Sequence, residues 1–183
     1  MKGVIGSLSV QLTKGMAGDA LMYQNPVWVY IKAKQLDLAD LAGTAANATL
    51  TIDLSEAPRH PEVDNAPASW VLELVKLRAQ HSRWWSPQCN QPISISRMTR
   101  DYEPTRGAAF YRRIACQCPH NNSSGDTIKP PTEVALKIMQ RPCAKSVREI
   151  DFHQVLGCLG CGAAATAHYR KICLDYEKEY GKS

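Results

Sequence analysis

Six prolines, Pro87, Pro92, Pro104, Pro119, Pro130 and Pro131, punctuate residues 86–131, together with the polar run Asn121-Asn122-Ser123-Ser124-Gly125-Asp126. Proline fixes φ and removes a backbone donor, so neither a regular helix nor a central strand can run through such a stretch. An irregular segment of this length is either functional or held by something other than its own hydrogen bonds. Regular structure must therefore lie on either side of it.

Thiols are one means of holding it. All seven cysteines follow residue 88, and two sets have ligand-like spacing: Cys116-Gln117-Cys118-Pro119-His120 and Cys158-Leu159-Gly160-Cys161. Thiolates and an imidazole two or three residues apart can converge on one zinc ion, which takes four ligands in a tetrahedron. The candidate ligands are Cys116, Cys118, His120, Cys158 and Cys161, with Cys89 as a further sulfur within the same half. Glycines 157, 160 and 162 flank the second pair and allow a tight turn. The opposing reading is that cysteine packs as a small hydrophobe, the role expected of Cys143 and Cys173 on helical stretches. A thioredoxin-like use of Cys158 and Cys161 lacks the preceding βαβ unit. An odd count, absent from the first 88 residues, speaks against a secreted disulfide framework and for reduced thiols in the cytoplasm.

Charge is divided along the chain. Residues 1–75 hold 5 Lys/Arg against 8 Asp/Glu, net −3; residues 76–148 hold 13 against 4, net +9; residues 149–183 hold 4 against 5, net −1. A basic block of that size attracts phosphate backbones or an acidic protein surface. Hydrophobic content of 44% and charged content of 21% exclude general disorder. No apolar run approaches the ~18 residues of a membrane helix, and no secretory h-region follows Met1.

Alternation in the first third predicts strands. Leu8, Val10 and Leu12 share one face of Val4–Thr13, Val27–Ala33 is rich in β-branched and aromatic residues after Pro26, and Thr49–Leu54 alternates again. Leu36–Ala42 reads as strand continuation or as a short helix ended by Gly43. Ser55–Ala68 reads as a proline-bearing linker. Ser69 then caps a helix that carries Trp70, Leu74 and Leu77 on one stripe and ends before Pro87. Further helices are expected from Thr132 to near Pro142, from Ser146 to Leu159 and from Gly162 to Tyr180. Strands followed by helices predict an α+β fold. A small antiparallel sheet lies in the N-terminal part and a helical, cysteine-rich part follows. The expected layout is one domain over 1–183, with sub-lobes 1–68 (strand-rich, acidic) and 69–183 (helical, basic).

Other constellations are weaker. His60-Pro61-Glu62 matches half of a nucleotide-deaminase signature, but proline holds its middle position and no proline precedes Cys158, so a plain exposed loop is favoured. Glycine-rich phosphate loops, nucleophile elbows and His-Glu-x-x-His helices are missing, which disfavours an enzyme. Residues 152–171 can be laid out as helix, turn, helix with Val155 and Leu159 buried, Gly160 in the turn and Cys161 beneath it. Thr166, His168, Arg170 and Lys171 would then be presented outward, though an ordinary helical hairpin is the simpler reading. Arg106, Arg112 and Arg113 interleave with Phe110 and Tyr111 in a pattern suited to stacking on unpaired bases. Arg83, Trp84 and Trp85 suit a protein-binding anchor, or else a core seal.

Taken together, these features predict a non-enzymatic regulator of nucleic acid or of a nucleoprotein complex, contacting it through Arg97, Arg100, Arg106, Arg112, Arg113, Arg170 and Lys171. The alternative is an inhibitor or adaptor, of the accessory type that viruses or mobile elements encode, blocking an acidic host protein by direct binding.

Overall fold

The computed structural model describes residues 21–55, 60–94 and 127–181. These residues are mostly helical, with one two-stranded antiparallel sheet. The chain divides into two compact units, residues 1–81 and 82–183.

In the first unit, α1 (Leu21–Gln24) leads into α2 (Pro26–Gln35), α3 (Ala39–Ala48), a 3-10 turn (Thr49–Thr51) and α4 (Pro61–Asp64). Helix α5 (Ala68–Cys89) begins here and contributes its residues up to His81. The strand expected at Val27–Ala33 is helix α2, because local chemistry at its start outweighs β-propensity. Asn25 caps it by accepting from the Trp28 N–H at 3.2 Å, and Pro26 takes the first helical position. Val29, Tyr30, Ile31 and Ala33 are all buried, so the helix is apolar on most sides and shows little period.

Leu36–Leu38 form neither strand nor helix. The Leu38 N–H donates to Ala33 O at 2.9 Å and the Asp37 N–H to Lys34 O at 3.3 Å, with Asp37 at φ 54°. This is a Schellman cap with aspartate where glycine is usual. Helix α3 then runs straight through Gly43. The strand expected at Thr49–Leu54 is the 3-10 turn and the irregular chain after it. The Thr49 and Thr51 hydroxyls donate back to Ala46 O and Ala48 O, and Arg78 donates to Thr49 O at 3.0 Å and Ile52 O at 2.8 Å. The carbonyls that a neighbouring strand would have satisfied are taken by a guanidinium. The alternating residues Val4–Thr13 lie outside the described residues.

The second unit takes the end of α5, β1 (Ile93–Ser94), β2 (Thr127–Ile128), α6 (Thr132–Gln140), α7 (Ala144–Arg148), α8 (Phe152–Leu156) and α9 (Leu159–Tyr180). The sheet pairs Ile93 with Ile128 and Ser94 with Thr127, so the strands found are here and not in the described N-terminal part. Helix α5 continues through Pro87 to Cys89 instead of stopping before it. The helix expected over Ser146–Leu159 is broken in two. Asp151 accepts from the His153 and Gln154 N–H groups and so starts α8, and Gly157 at φ 59° ends it. Small residues let α9 sit close to its neighbours: Ala164 and Ala165 are buried, and a Cβ on Gly162 would lie 2.5–2.8 Å from His153 atoms. Around them Trp85, Ile93, Ile128, Val134, Ile138, Val147 and Tyr169 are almost wholly buried, and Phe152 stacks on Tyr169 with ring centres 5.0 Å apart.

Candidate functional site

Helix α9 carries the described part of the candidate site. Cys158 is its N-cap and is half-buried, and Cys161, one turn on, is buried. Cys116, Cys118 and His120, the ligands expected to join them, lie outside the described residues. Among the described residues, no group of three His, Cys, Asp or Glu side chains is arranged to hold a metal. Cys89, Cys143 and Cys173 are buried thiols, and burial pushes both Cys89 and Cys173 up to about 11. Their environment is that of packed small hydrophobes. Cys143 also caps α7, accepting from the Ser146 N–H.

Of the seven residues expected to contact nucleic acid, Arg170 and Lys171 are described, side by side and exposed on α9. Arg97, Arg100, Arg106, Arg112 and Arg113 lie outside. Arg83, Lys129 and Arg141 add exposed cations in the basic half. Other cations are engaged. Arg78 serves the Thr49 and Ile52 carbonyls, Lys137 pairs with Glu133, and Arg148 forks onto Glu177 through bonds of 2.5 and 2.7 Å. That fork holds the Glu177 carboxyl below its ordinary range.

The helix-turn-helix register expected over residues 152–171 does not hold. Leu159, expected in the core, is 76% exposed, and Gly157 makes the turn, not Gly160. Helix α8 is five residues long, and Thr166 spends its hydroxyl on Gly162 O. Cys161 is buried as that register required. His168 is half-buried, and burial, then nearby Lys171, lowers its pKa.

The expected partner anchor also changes. Trp85 is 0% exposed and has no surface to offer a partner. Successive residues on a helix point about 100° apart, so one of two adjacent tryptophans faces inward. Trp84 is half-buried, edge-on to Trp85 and Tyr176, with its indole N–H donating to Glu179 at 2.6 Å. Arg83 alone of the three is exposed.

His60-Pro61-Glu62 is not a plain loop. His60 caps α4, and Glu62 accepts from the Trp28 indole at 2.6 Å and pairs with Lys32 at 2.5 Å. The Lys32 bond is the main cause of the lowered Glu62 pKa. A second polar knot went unread in the sequence: Glu73 accepts from the Tyr30 hydroxyl at 2.7 Å and from Lys34 at 2.9 Å. Nothing in the spacing of Tyr30 and Glu73 joins them, because their contact comes from the packing of α2 against α5. Among the described residues no helix is long and apolar enough to cross a membrane. No family model, no curated protein and no solved structure matches the chain.

Proposed function

We propose that the chain is a non-enzymatic regulator that binds nucleic acid, or a nucleoprotein complex, through its basic, cysteine-rich half. The observation that carries this reading is the segregation of charge, net +9 over residues 76–148 between flanks of −3 and −1. Exposed Arg83, Lys129, Arg141, Arg170 and Lys171 support it from the described residues. In this reading zinc takes four of Cys116, Cys118, His120, Cys158 and Cys161 and fastens the proline-rich segment to the start of α9. Phosphate contacts release counterions, so six of them would lower affinity by about a thousandfold between 50 and 200 mM salt. Fluorescence anisotropy with labelled single-stranded RNA and duplex DNA measures this directly. Reversing Arg106, Arg112 and Arg113 to Glu should weaken binding and flatten the salt slope. Absence of binding to either nucleic acid at low salt rejects the reading.

A second reading, a protein-binding inhibitor or adaptor, is favoured by one observation. Val71, Leu72 and Val75 on α5 are 40, 49 and 51% exposed, an apolar row with no polar function of its own. Its test is association with a defined protein that survives nuclease treatment and is lost in Leu72→Glu.

A further inference from the structure

Cys158 and Cys161 share the first turn of α9 but differ in access. Cys158 is the N-cap, with extended backbone at φ −143° and ψ 125°, and is half-buried. Cys161 stands at the third helical position and is wholly buried. Between them Leu159 and Gly160 are exposed, and a Cβ on Gly160 would meet nothing within 4 Å, so the turn that carries both sulfurs is open from outside. Its frame is fixed on either side. Gly157 at φ 59° ends α8 one residue earlier, and Gly162 packs against His153, which holds the start of α9 on α8. A rise of about 1.5 Å per residue sets the two Cα atoms roughly 5 Å apart, inside the ~4.4–6.8 Å of disulfide-bonded pairs. The other described cysteines, Cys89, Cys143 and Cys173, are all buried.

We propose that Cys158 and Cys161 are a redox-active dithiol that exchanges with a disulfide substrate, Cys158 attacking and Cys161 resolving. Exchange needs one sulfur that the incoming disulfide can reach and a second poised beside the first. The half-buried and the buried thiol meet these two needs in that order. The positive end of α9 lies at Cys158 and favours the negative charge that an attacking sulfur carries. In the first step the Cys158 thiolate bonds to one sulfur of the substrate, whose S–S bond breaks and releases one thiolate. In the second, Cys161 gives its proton to solvent, bonds to the Cys158 sulfur and expels the other thiolate. The chain loses two electrons and two protons, and the substrate is reduced to two thiols. This chemistry asks only for the helix start and the two sulfurs, not for a preceding βαβ unit. Exposed Leu159 offers an apolar contact beside the attacking sulfur. The same sulfurs are zinc ligands in the reading above, so the disulfide and the metal exclude each other.

The proposal is independent of nucleic-acid binding, and its test keeps the two apart. The full chain is reduced, held with a chelator so that no metal covers the thiols, incubated with glutathione disulfide and digested with trypsin. Residues 149–170 form one tryptic peptide that holds Cys158 and Cys161 and no other cysteine. The expected product is that peptide lighter by two hydrogens, its mass restored by dithiothreitol. Cys161→Ala removes the resolving sulfur, so the mixed disulfide with glutathione should accumulate on Cys158 at least tenfold over the parent. Cys158→Ser keeps a preferred N-cap residue and should take up no glutathione in this peptide. A parent peptide of unchanged mass overturns the proposal. Bonds from Cys158 or Cys161 to Cys116 or Cys118, in place of the bond between them, would do the same. So would glutathione on Cys161 in Cys158→Ser as readily as on Cys158 in Cys161→Ala. Should Cys161→Ala fail to fold, the parent peptide and Cys158→Ser still decide. A chain that closes this disulfide but binds no nucleic acid would reject the regulator reading and leave the dithiol standing.

Discussion

Gly162 shows how much a single hydrogen can decide. An alanine methyl there would lie 2.7 Å from the His153 Cα as well as 2.5 and 2.8 Å from ring atoms, so turning the imidazole away cannot relieve it. Gly162→Ala should cost about 1–3 kcal/mol, the usual range for overpacking, seen as a lower urea midpoint with unchanged slope. The adjacent tryptophans should part in the same assay. Trp85→Ala empties a fully buried site and should cost about 3–5 kcal/mol. Trp84→Ala loses edge-on ring contacts and one exposed hydrogen bond, about 1–2 kcal/mol. Equal costs would contradict the inward and outward placement found here. Two histidines set a pH dependence. Burial lowers the pKa of both His81 and His168, so below the ordinary imidazole value of about 6.5 the unfolded chain binds more protons than the folded one. Their contribution is present in full above that pH and fades as pH falls towards the lowered folded values. Stability measured from pH 7.5 to 5 should fall, and His168→Gln should shallow the slope.

At the scale of elements, the sequence was most legible where amphipathic period and caps agreed. Helices α5, α6 and α9 were expected close to where they lie, and Leu74 is buried as its stripe required. Val27–Ala33 misled because a short run buried on most sides has no period to read, and the decisive residues, Asn25 and Pro26, stand outside the run. Thr49–Leu54 misled because alternation was real but its hydrogen-bond partner was a side chain 29 residues away. That guanidinium is a specific test of the element. Arg78→Met keeps the stem and leaves two carbonyls without their donor, at a cost of about 1.5–3 kcal/mol for hydrogen bonds from a charged group. Arg78→Lys should rescue only part of it, since an ammonium lacks the two-pronged geometry. A fully neutral Arg78→Met would show that water replaces the guanidinium without loss. The cysteine site was legible only as spacing: Cys158 and Cys161 lie one helical turn apart, and His120 and its neighbours fall outside the described residues.

For the molecule as a whole, metal and charge are the testable properties. Ligands drawn from distant positions form a site only in the folded chain, so bound zinc would appear as stability. A chelator should then lower the melting temperature, and Cys158→Ser should lower it without chelator. A protein purified with under about a tenth of an equivalent of zinc, yet unfolding cooperatively, would return the cysteines to packing. The end of α9 has one more consequence. Tyr176, Glu177, Glu179 and Tyr180 fall within its last two turns, and they hold Trp84, Trp85 and Arg148 through ring contacts, an indole hydrogen bond and the guanidinium fork. A product of premature termination after Asp175 would lose all of these at once and bare two indoles. Such a chain would announce its own incompleteness, because exposed aromatic surface is what proteolytic quality control recognises, and the cell would clear it rather than accumulate it.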